Sequence, residues 1–218
     1  QQNAEANLWG WDKPGTEVNV TASWSSQKWT AKTNKDGKWQ VKVQTPKASY
    51  TPLSITFDDG EPVTLCNILA GEVWVCAGQS NMEMPVKGFG NCPVEGYNKA
   101  VVEANQYKGI HYVKIPSVMS NKPLDDASCE WKEISPETVG EASATGYFFA
   151  QVVNKALDIP VGLVMANKGG TRVESWLDRD YLKKNTKEET DSAKIVKSKK
   201  FKWDFHYPLL WGNGTFHP

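Results

Sequence analysis

The first third of the chain, residues 7–69, alternates between hydrophobic and polar positions with the period of two that is typical of half-buried β-strands. The alternating hydrophobic positions are Val18, Val20, Ala22, Trp39, Val41, Val43, Leu53, Ile55 and Phe57. Glycine-containing turn signals separate these runs at residues 13–15, 35–37 and 58–60. Short strands at this spacing predict a small all-β sandwich domain over residues 1–69.

Residues 70–218 show a different pattern, in which short apolar runs alternate with helical periodicity. The predicted elements are buried strands at residues 73–77, 110–115 and 160–167, and helices at residues 97–107 and 142–157. The second helix is expected to turn Tyr147, Phe148 and Val152 toward the core. Strands that alternate with helices pair in parallel through right-handed crossovers, so this pattern predicts an α/β domain built on a parallel sheet.

Charge and hydropathy argue against two classes of partner. The chain carries 25 basic and 25 acidic residues, so its net charge gives no electrostatic reason to bind nucleic acid or an anionic membrane. Residues 178–202 are rich in lysine, but interleaved acidic residues predict a solvated helix or an insertion there. No apolar run reaches the length of a membrane-spanning helix. We therefore expect neither a nucleic-acid partner nor membrane insertion.

Ser80 stands out as a candidate nucleophile because of its position after a buried strand. Open α/β sheets place their ligands beyond the carboxyl ends of strands, and Ser80 follows the strand predicted at residues 73–77. If a helix begins near Asn81, its free N–H groups would favour negative charge that develops beside Ser80. The same pattern also fits a polar strand-to-helix turn in which Ser80 caps the helix.

Two stretches of the chain form uncommon motifs, residues 71–85 (GEVWVCAGQSNMEMP) and residues 167–177 (NKGGTRVESWL). The first is similar to the first block of the sialate O-acetylesterase family, which belongs to the SGNH-type serine esterases, and the second resembles the Gly-Gly-Thr block of that family. Residues 207–218 resemble a later segment loosely. The resemblance implies an SGNH-hydrolase-like, flavodoxin-like parallel sheet over residues 70–218, preceded by a small β-domain. It also implies hydrolysis of acetyl esters on sialic acid or related sugars, with Ser80 as the catalytic nucleophile.

The residues around the two matched blocks are the candidate substrate and oxyanion groups. They are Gln79, Asn81, Gly169, Gly170, Thr171, Arg172 and Glu174. The two glycines would let the backbone approach a ligand and point an N–H at the substrate carbonyl, although glycine pairs also form ordinary tight turns. Arg172 could hold a substrate carboxylate or pair with Glu174 on the surface. Acyl transfer of this kind requires no metal and no organic cofactor, and the chain shows no metal-ligand spacing of Cys or His.

A serine nucleophile needs a base within hydrogen-bond reach, and the resemblance does not supply one within these residues. His111, His206 and His217 are the three histidines, and none matches the Asp-x-x-His pair of the family. We therefore expect the base beyond Pro218, on a downstream segment that completes the active site. The resemblance covers about the first half of a typical family member. It also implies a secreted or periplasmic location.

Other interpretations stay open at this point. The chain could be an acetylxylan-type esterase of the same SGNH class, or a non-catalytic carbohydrate-binding relic of the fold. Taken alone, residues 7–69 could also be a carbohydrate-binding module that uses Trp24, Trp29 and Trp39. Among the four cysteines, Cys76 is expected to be a small buried residue, and a bridge between Cys92 and Cys129 is possible.

Overall fold

The structure is a computed structural model, which describes residues 1–118, 124–171, 173–177 and 179–185. The chain divides into two compact units. Unit 1 comprises Gln1–Trp74, Gln106–His111 and Ala150–Gly162. Unit 2 comprises Val75–Asn105, Tyr112–Phe149 and the described part of Leu163–Pro218. With several sheets and helices, the fold is mixed α/β.

Six antiparallel strands occupy the N-terminal part of unit 1. They are β1 (Glu5–Trp11), β2 (Glu17–Ala22), β3 (Lys28–Lys32), β4 (Lys38–Gln44), β5 (Ser49–Asp58) and β6 (Val63–Ala70). β1 pairs with β4, with Leu8 opposite Val41, and the other four form a sheet in the order β3-β2-β5-β6. The three alternating runs of the sequence lie within β2, β4 and β5, so these strand predictions are confirmed.

A hydrophobic core fills this strand-rich part of unit 1. Val20 and Val43 are fully buried, and Val18, Ala22 and Ile55 are buried beside them. Fully burying one valine or isoleucine side chain contributes roughly 1.5–3 kcal/mol, so this cluster stabilises the strands that surround it. The partly buried hydrophobic residues packed against the core are Leu8, Trp24, Trp29, Trp39, Val41, Phe57 and Ile68.

The three tryptophans that suggested a carbohydrate-binding module pack against the core in the structure. Trp24, Trp29 and Trp39 all contact the core, and the Trp24 indole N–H donates to the Gln44 carbonyl at 2.9 Å. Among the six N-terminal strands, the exposed indole rings belong to Trp9 and Trp11 of β1, which are 48% and 46% exposed. The three tryptophans on which the module was based therefore serve packing.

The remaining strands form a second four-stranded sheet, and helices connect them. The strands are β7 (Glu72–Gly78), β8 (Ile110–Lys114), β9 (Trp131–Glu133) and β10 (Val161–Asn167), in the order β7-β10-β8-β9. The helices are α1 (Ser80–Glu83), α2 (Tyr97–Glu103), α3 (Ala144–Leu157) and α4 (Arg179–Asn185), with 3-10 turns at Ala104–Tyr107, Val139–Glu141 and Val173–Trp176. All three predicted strands and both predicted helices are present; the short exposed strand β9 was not predicted.

Hydrogen bonds at both ends of the neighbouring strands β7 and β10 show that the two run in the same direction. The Glu72 N–H donates to the Pro160 carbonyl at 3.0 Å where both strands begin. The Lys168 N–H donates to the Gly78 carbonyl at 2.9 Å where both strands end. The residues that follow Gly78 and Asn167 therefore emerge at the same edge of the sheet.

Helix α3 turns a different face to the interior from the one that was predicted. Tyr147 is fully buried, as expected, but Phe148 is 38% and Val152 67% exposed, so the prediction was wrong for these two. Consecutive helical residues are about 100° apart, and only residues three or four apart share a face. The buried face follows that spacing through Tyr147, Ala150 and Asn154.

Two further sequence expectations concern the cysteines and the membrane. Cys76 is buried within β7, as predicted, whereas Cys66, Cys92 and Cys129 are exposed. All four are free thiols, so Cys92 and Cys129 are not bridged. Within the described ranges, none of the helices has the length and apolar character needed to cross a bilayer.

Candidate functional site

Ser80 lies at the first position of α1, immediately beyond the end of β7. The helix is a single turn, which is closed by hydrogen bonds from the Glu83 N–H to the Gln79 carbonyl and from the Met84 N–H to the Ser80 carbonyl, both at 2.9 Å. Ser80 is exposed, and its hydroxyl has no hydrogen-bond partner in the part of the chain that the structure describes. The N-cap is Gln79, so Ser80 does not have the capping role that the sequence left open.

The tight passage from β7 into α1 depends on Gly78. Its φ of +152° lies outside the range that side-chain-bearing residues readily adopt. A Cβ at this position would also lie 3.3 Å from the Met82 Cβ. The strand predicted at residues 73–77 ends just before this glycine, and the Ser80 side chain is exposed beyond it.

The Gly-Gly turn after β10 lies directly against Ser80. A Cβ built on Gly169 would be 3.6 Å from the Ser80 Cα and 3.7 Å from the Ser80 Cβ, which is van der Waals contact distance. Gly170 has a left-handed backbone with φ of +77°. The structure therefore brings Ser80 and the Gly169-Gly170 turn together, although 89 residues separate Ser80 from Gly169 in the sequence.

The Glu83 carboxylate accepts a hydrogen bond from the backbone N–H of Gly169. Its Oε2 accepts a hydrogen bond from this N–H at 2.6 Å, and its Oε1 lies 4.0 Å from the Lys168 Nζ. Gly169 was expected to offer its N–H to the substrate or the oxyanion, but in this structure the N–H is donated to Glu83. Gly169 contributes close backbone approach instead, which leaves the adjacent Gly170 N–H as the candidate donor from this turn.

Sequence reasoning did not single out Glu83 as a site residue. One signal was available, because a side chain three positions after Ser80 lies on the same side of a helical turn. Its partner could not have been found in that way, since Gly169 is 86 residues further along the chain.

Thr171 has a structural role within the second turn. It is buried, its hydroxyl donates to the Lys168 carbonyl at 2.8 Å, and it accepts from the Trp176 indole N–H at 3.0 Å. These two bonds fasten the glycine turn to the following 3-10 turn. Thr171 thus shapes the turn, and its assignment to the substrate and oxyanion groups stays a prediction.

The other predicted site residues are exposed or lie outside the residues that the structure describes. Gln79 and Asn81 flank Ser80 and are both exposed. The Asn81 carbonyl accepts a 3.3 Å hydrogen bond from the Thr145 hydroxyl, near the start of α3. Arg172, the side chain of Glu174, and the histidines His206 and His217 lie outside the described residues.

Cys76 is the nearest buried thiol to Ser80 along the chain. Burial raises the pKa of its thiol, so the side chain stays neutral and is a poor nucleophile at neutral pH. No cluster of three or more His, Cys, Asp or Glu side chains that could bind a metal ion occurs among the described residues. The candidate chemistry at this edge of the sheet therefore centres on the Ser80 hydroxyl.

Comparison with known proteins gives the family. Residues 70–203, more than half of the chain, match the family model described as carbohydrate esterase, sialic acid-specific acetylesterase. This chain belongs to that family. The matched range includes both Ser80 and the Gly169-Gly170 turn, which is consistent with the resemblance of residues 71–85 and 167–177.

Individual relatives agree with the family assignment but are longer than this chain. The chain is 27% identical to the sialate O-acetylesterases of Mus musculus and Homo sapiens, over 84% of its own length and 37% of theirs. The crystal structure of a carbohydrate acetylesterase from Xanthomonas citri matches with a TM-score of 0.74 and 29% identity, over 84% of this chain and 41% of that one. The chain thus spans about two fifths of the length of these relatives.

Proposed function

We propose that this chain carries the nucleophile of a serine-dependent carbohydrate O-acetylesterase, and that β7, β8 and β10 belong to an SGNH-like parallel sheet preceded by a small β-domain. The observation that carries the proposal is the exposed Ser80 hydroxyl at the end of β7, against the Gly169-Gly170 turn at the end of β10. Neighbouring strand ends of this kind are where α/β sheets place reactive groups.

The proposed reaction proceeds through an acetyl-enzyme. The Ser80 Oγ attacks the acetyl carbonyl, its proton passes to a base, and the sugar hydroxyl leaves with a proton from that base. Water then attacks the acetyl-enzyme and releases acetate and free Ser80. Backbone N–H groups near Ser80, together with that of Gly170, stabilise the oxyanion. Because α1 is one turn long, this stabilisation comes from individual N–H groups and not from a long helix dipole.

The base is proposed to lie outside the described residues. Such a base must reach the Ser80 hydroxyl, which has no hydrogen-bond partner in the described part of the chain. We assign the base and its orienting carboxylate to chain that follows Pro218, as the family resemblance implies. This chain covers only 37% of the mouse relative and 41% of the Xanthomonas citri esterase, so each of them has chain outside the match that could carry such groups.

The proposed substrate is an acetyl ester on sialic acid or a related sugar. The family description and the names of the mouse and human relatives support this choice over acetylated xylan. A secreted or periplasmic location is proposed on the family resemblance alone.

The test is acetate release by the intact protein that contains this chain. O-acetylated sialic acid and acetylated xylan are compared at equal acetyl concentration, and the first is expected to be hydrolysed faster. A fluorophosphonate reagent should label Ser80, which peptide mass spectrometry identifies. Faster release from xylan would overturn the substrate assignment, and labelling of another serine would overturn the mechanism.

A further inference from the structure

Glu83 links helix α1, which carries Ser80, to the Gly169-Gly170 turn. It lies at the end of α1, three residues after Ser80, with its side chain 22% exposed. Its Oε2 accepts the Gly169 N–H at 2.6 Å, a short distance for a hydrogen bond to a charged acceptor. No other hydrogen bond found between described residues joins α1 to the glycine turn directly.

The helix that carries Ser80 is bonded to the start of α3, where the Thr145 hydroxyl donates to the Asn81 carbonyl at 3.3 Å and the Ala144 N–H donates to the Met84 carbonyl at 2.8 Å. A four-residue helix is too short to be stable alone, and none of its residues is buried. Two hydrogen bonds join the segment that contains Ser80 to the residues that follow β10, one before Ser80 in the chain and one after it. The Lys168 N–H donates to the Gly78 carbonyl before it, and the Gly169 N–H donates to the Glu83 carboxylate after it.

The same contact sets the distance between Ser80 and the glycine turn. A Cβ on Gly169 would lie 2.5 Å from the Glu83 Oε2 and 3.6 Å from the Ser80 Cα, so the glycine is enclosed between the carboxylate and the serine backbone. The peptide that the carboxylate engages directly precedes the one that carries the Gly170 N–H. The Lys168 ammonium, 4.0 Å from the Glu83 Oε1, offsets the charge that this places near the site.

We propose that Glu83 is a positioning residue, whose carboxylate holds Ser80 and the Gly169-Gly170 turn in the relative geometry needed for attack on an acetyl carbonyl. This inference rests on the proposed esterase function. Glu83 acts through Gly169 and takes no proton from the substrate. Displacements of about 1 Å between a nucleophile and its oxyanion donors reduce rates by up to about 100-fold.

The experiment compares Glu83→Ala and Glu83→Gln in the intact protein. Turnover of p-nitrophenyl acetate is measured per folded molecule, with far-UV circular dichroism and thermal unfolding as folding controls. Glu83→Ala is expected to lower kcat by about 10- to 100-fold with KM within about twofold, because it removes the acceptor for Gly169. Glu83→Gln keeps a side-chain oxygen in reach and should recover most of kcat.

A matched control is Glu141→Ala, which removes another partly exposed carboxylate that pairs with a lysine, Lys87, in unit 2. This control should leave kcat unchanged. The pH dependence of kcat should keep its shape in Glu83→Gln, since Glu83 is not the base. If Glu83→Gln is as inactive as Glu83→Ala, the carboxylate takes part in proton transfer and the positioning role is wrong.

Two other outcomes separate this inference from the proposed function. Wild-type turnover that Ser80→Ala abolishes and Glu83→Ala leaves within twofold overturns the positioning role and leaves the esterase in place. Turnover that is absent, or that Ser80→Ala does not change, overturns the proposed function and this inference with it.

Discussion

The core of the N-terminal strands and the segment around Ser80 are held in place by different interactions. Val20 and Val43 are fully buried among apolar neighbours, whereas none of the residues of α1 is buried. The core relies on apolar surface removed from water. The segment around Ser80 relies on hydrogen bonds to Gly169 and Thr145 and on the small size of Gly169.

This difference separates the residues that determine stability from those that determine chemistry. A change in the core should alter the free energy of unfolding and leave the geometry of Ser80 intact in the molecules that stay folded. A change near α1 should alter the geometry of Ser80 and leave the free energy of unfolding nearly unchanged, because little buried surface is lost there. Substitutions in the two regions can therefore test the comparison directly.

The largest effect on turnover is expected from Ser80→Ala in the intact protein. Loss of the nucleophile should lower kcat for an acetyl ester by about 1,000-fold or more, while the unfolding temperature changes little because Ser80 is exposed. Initial rates and thermal unfolding measure the two quantities. Ser117→Ala, at another exposed serine, is the control and should change neither. Retained turnover in Ser80→Ala would remove the nucleophile assignment.

An intermediate effect is expected from Gly169→Ala. The added Cβ would lie 2.5 Å from the Glu83 Oε2, so the carboxylate has to leave its hydrogen bond with the Gly169 N–H. We expect kcat to fall by about 10- to 100-fold through misplacement of Ser80. The free energy of unfolding should change by about 1 kcal/mol or less, since the Glu83 side chain is flexible and partly exposed.

The matched control for this substitution is Gly90→Ala, where a Cβ meets no atom within 4 Å. It should leave both kcat and stability unchanged. Equal kcat in the two variants would show that the contact between Gly169 and Glu83 has no influence on Ser80.

The smallest effect on turnover is expected from Val20→Ala, although it should have the largest effect on stability. Removing two methyl groups from a fully buried site should lower the free energy of unfolding by about 2 kcal/mol, from lost burial and the cavity left behind. Denaturant titration measures this value. Val63→Ala, at a valine of β6 that is 61% exposed, should change it by less than about 0.5 kcal/mol. A fall in kcat per folded Val20→Ala molecule would contradict the separation of the two regions.

The local pattern of the sequence was sufficient to predict most strands and helices and the position of Ser80. The period of two at Val18, Val20 and Ala22 and the apolar run before Gly78 are properties of short segments, and each segment forms the strand that its pattern indicates. The placement of both matched blocks at strand ends also followed from these segments. Parallel neighbours then put the two blocks at one edge of the sheet.

The sequence was less informative about which face of an element is buried. Phe148 and Val152 are as hydrophobic as their neighbours, yet they are exposed because α3 packs through Tyr147 and Ala150. Trp39 contacts the core while Trp11 is exposed, although their strands β4 and β1 pair with each other. Hydrophobicity sets the free-energy cost of exposing a side chain to water. Which side chains are buried depends on the elements that pack against the segment.

By itself, the sequence determined the order of most elements, the glycine turn at residues 169–170 and the serine that follows the strand at residues 73–77. Only the tertiary structure decided that the Gly169 N–H is donated to Glu83, and hence which N–H of the turn is left as a candidate donor. The reason is physical. Periodicity and turn propensity act over a few residues, whereas a hydrogen bond between residues 86 apart forms only when two strands have paired and brought their ends together.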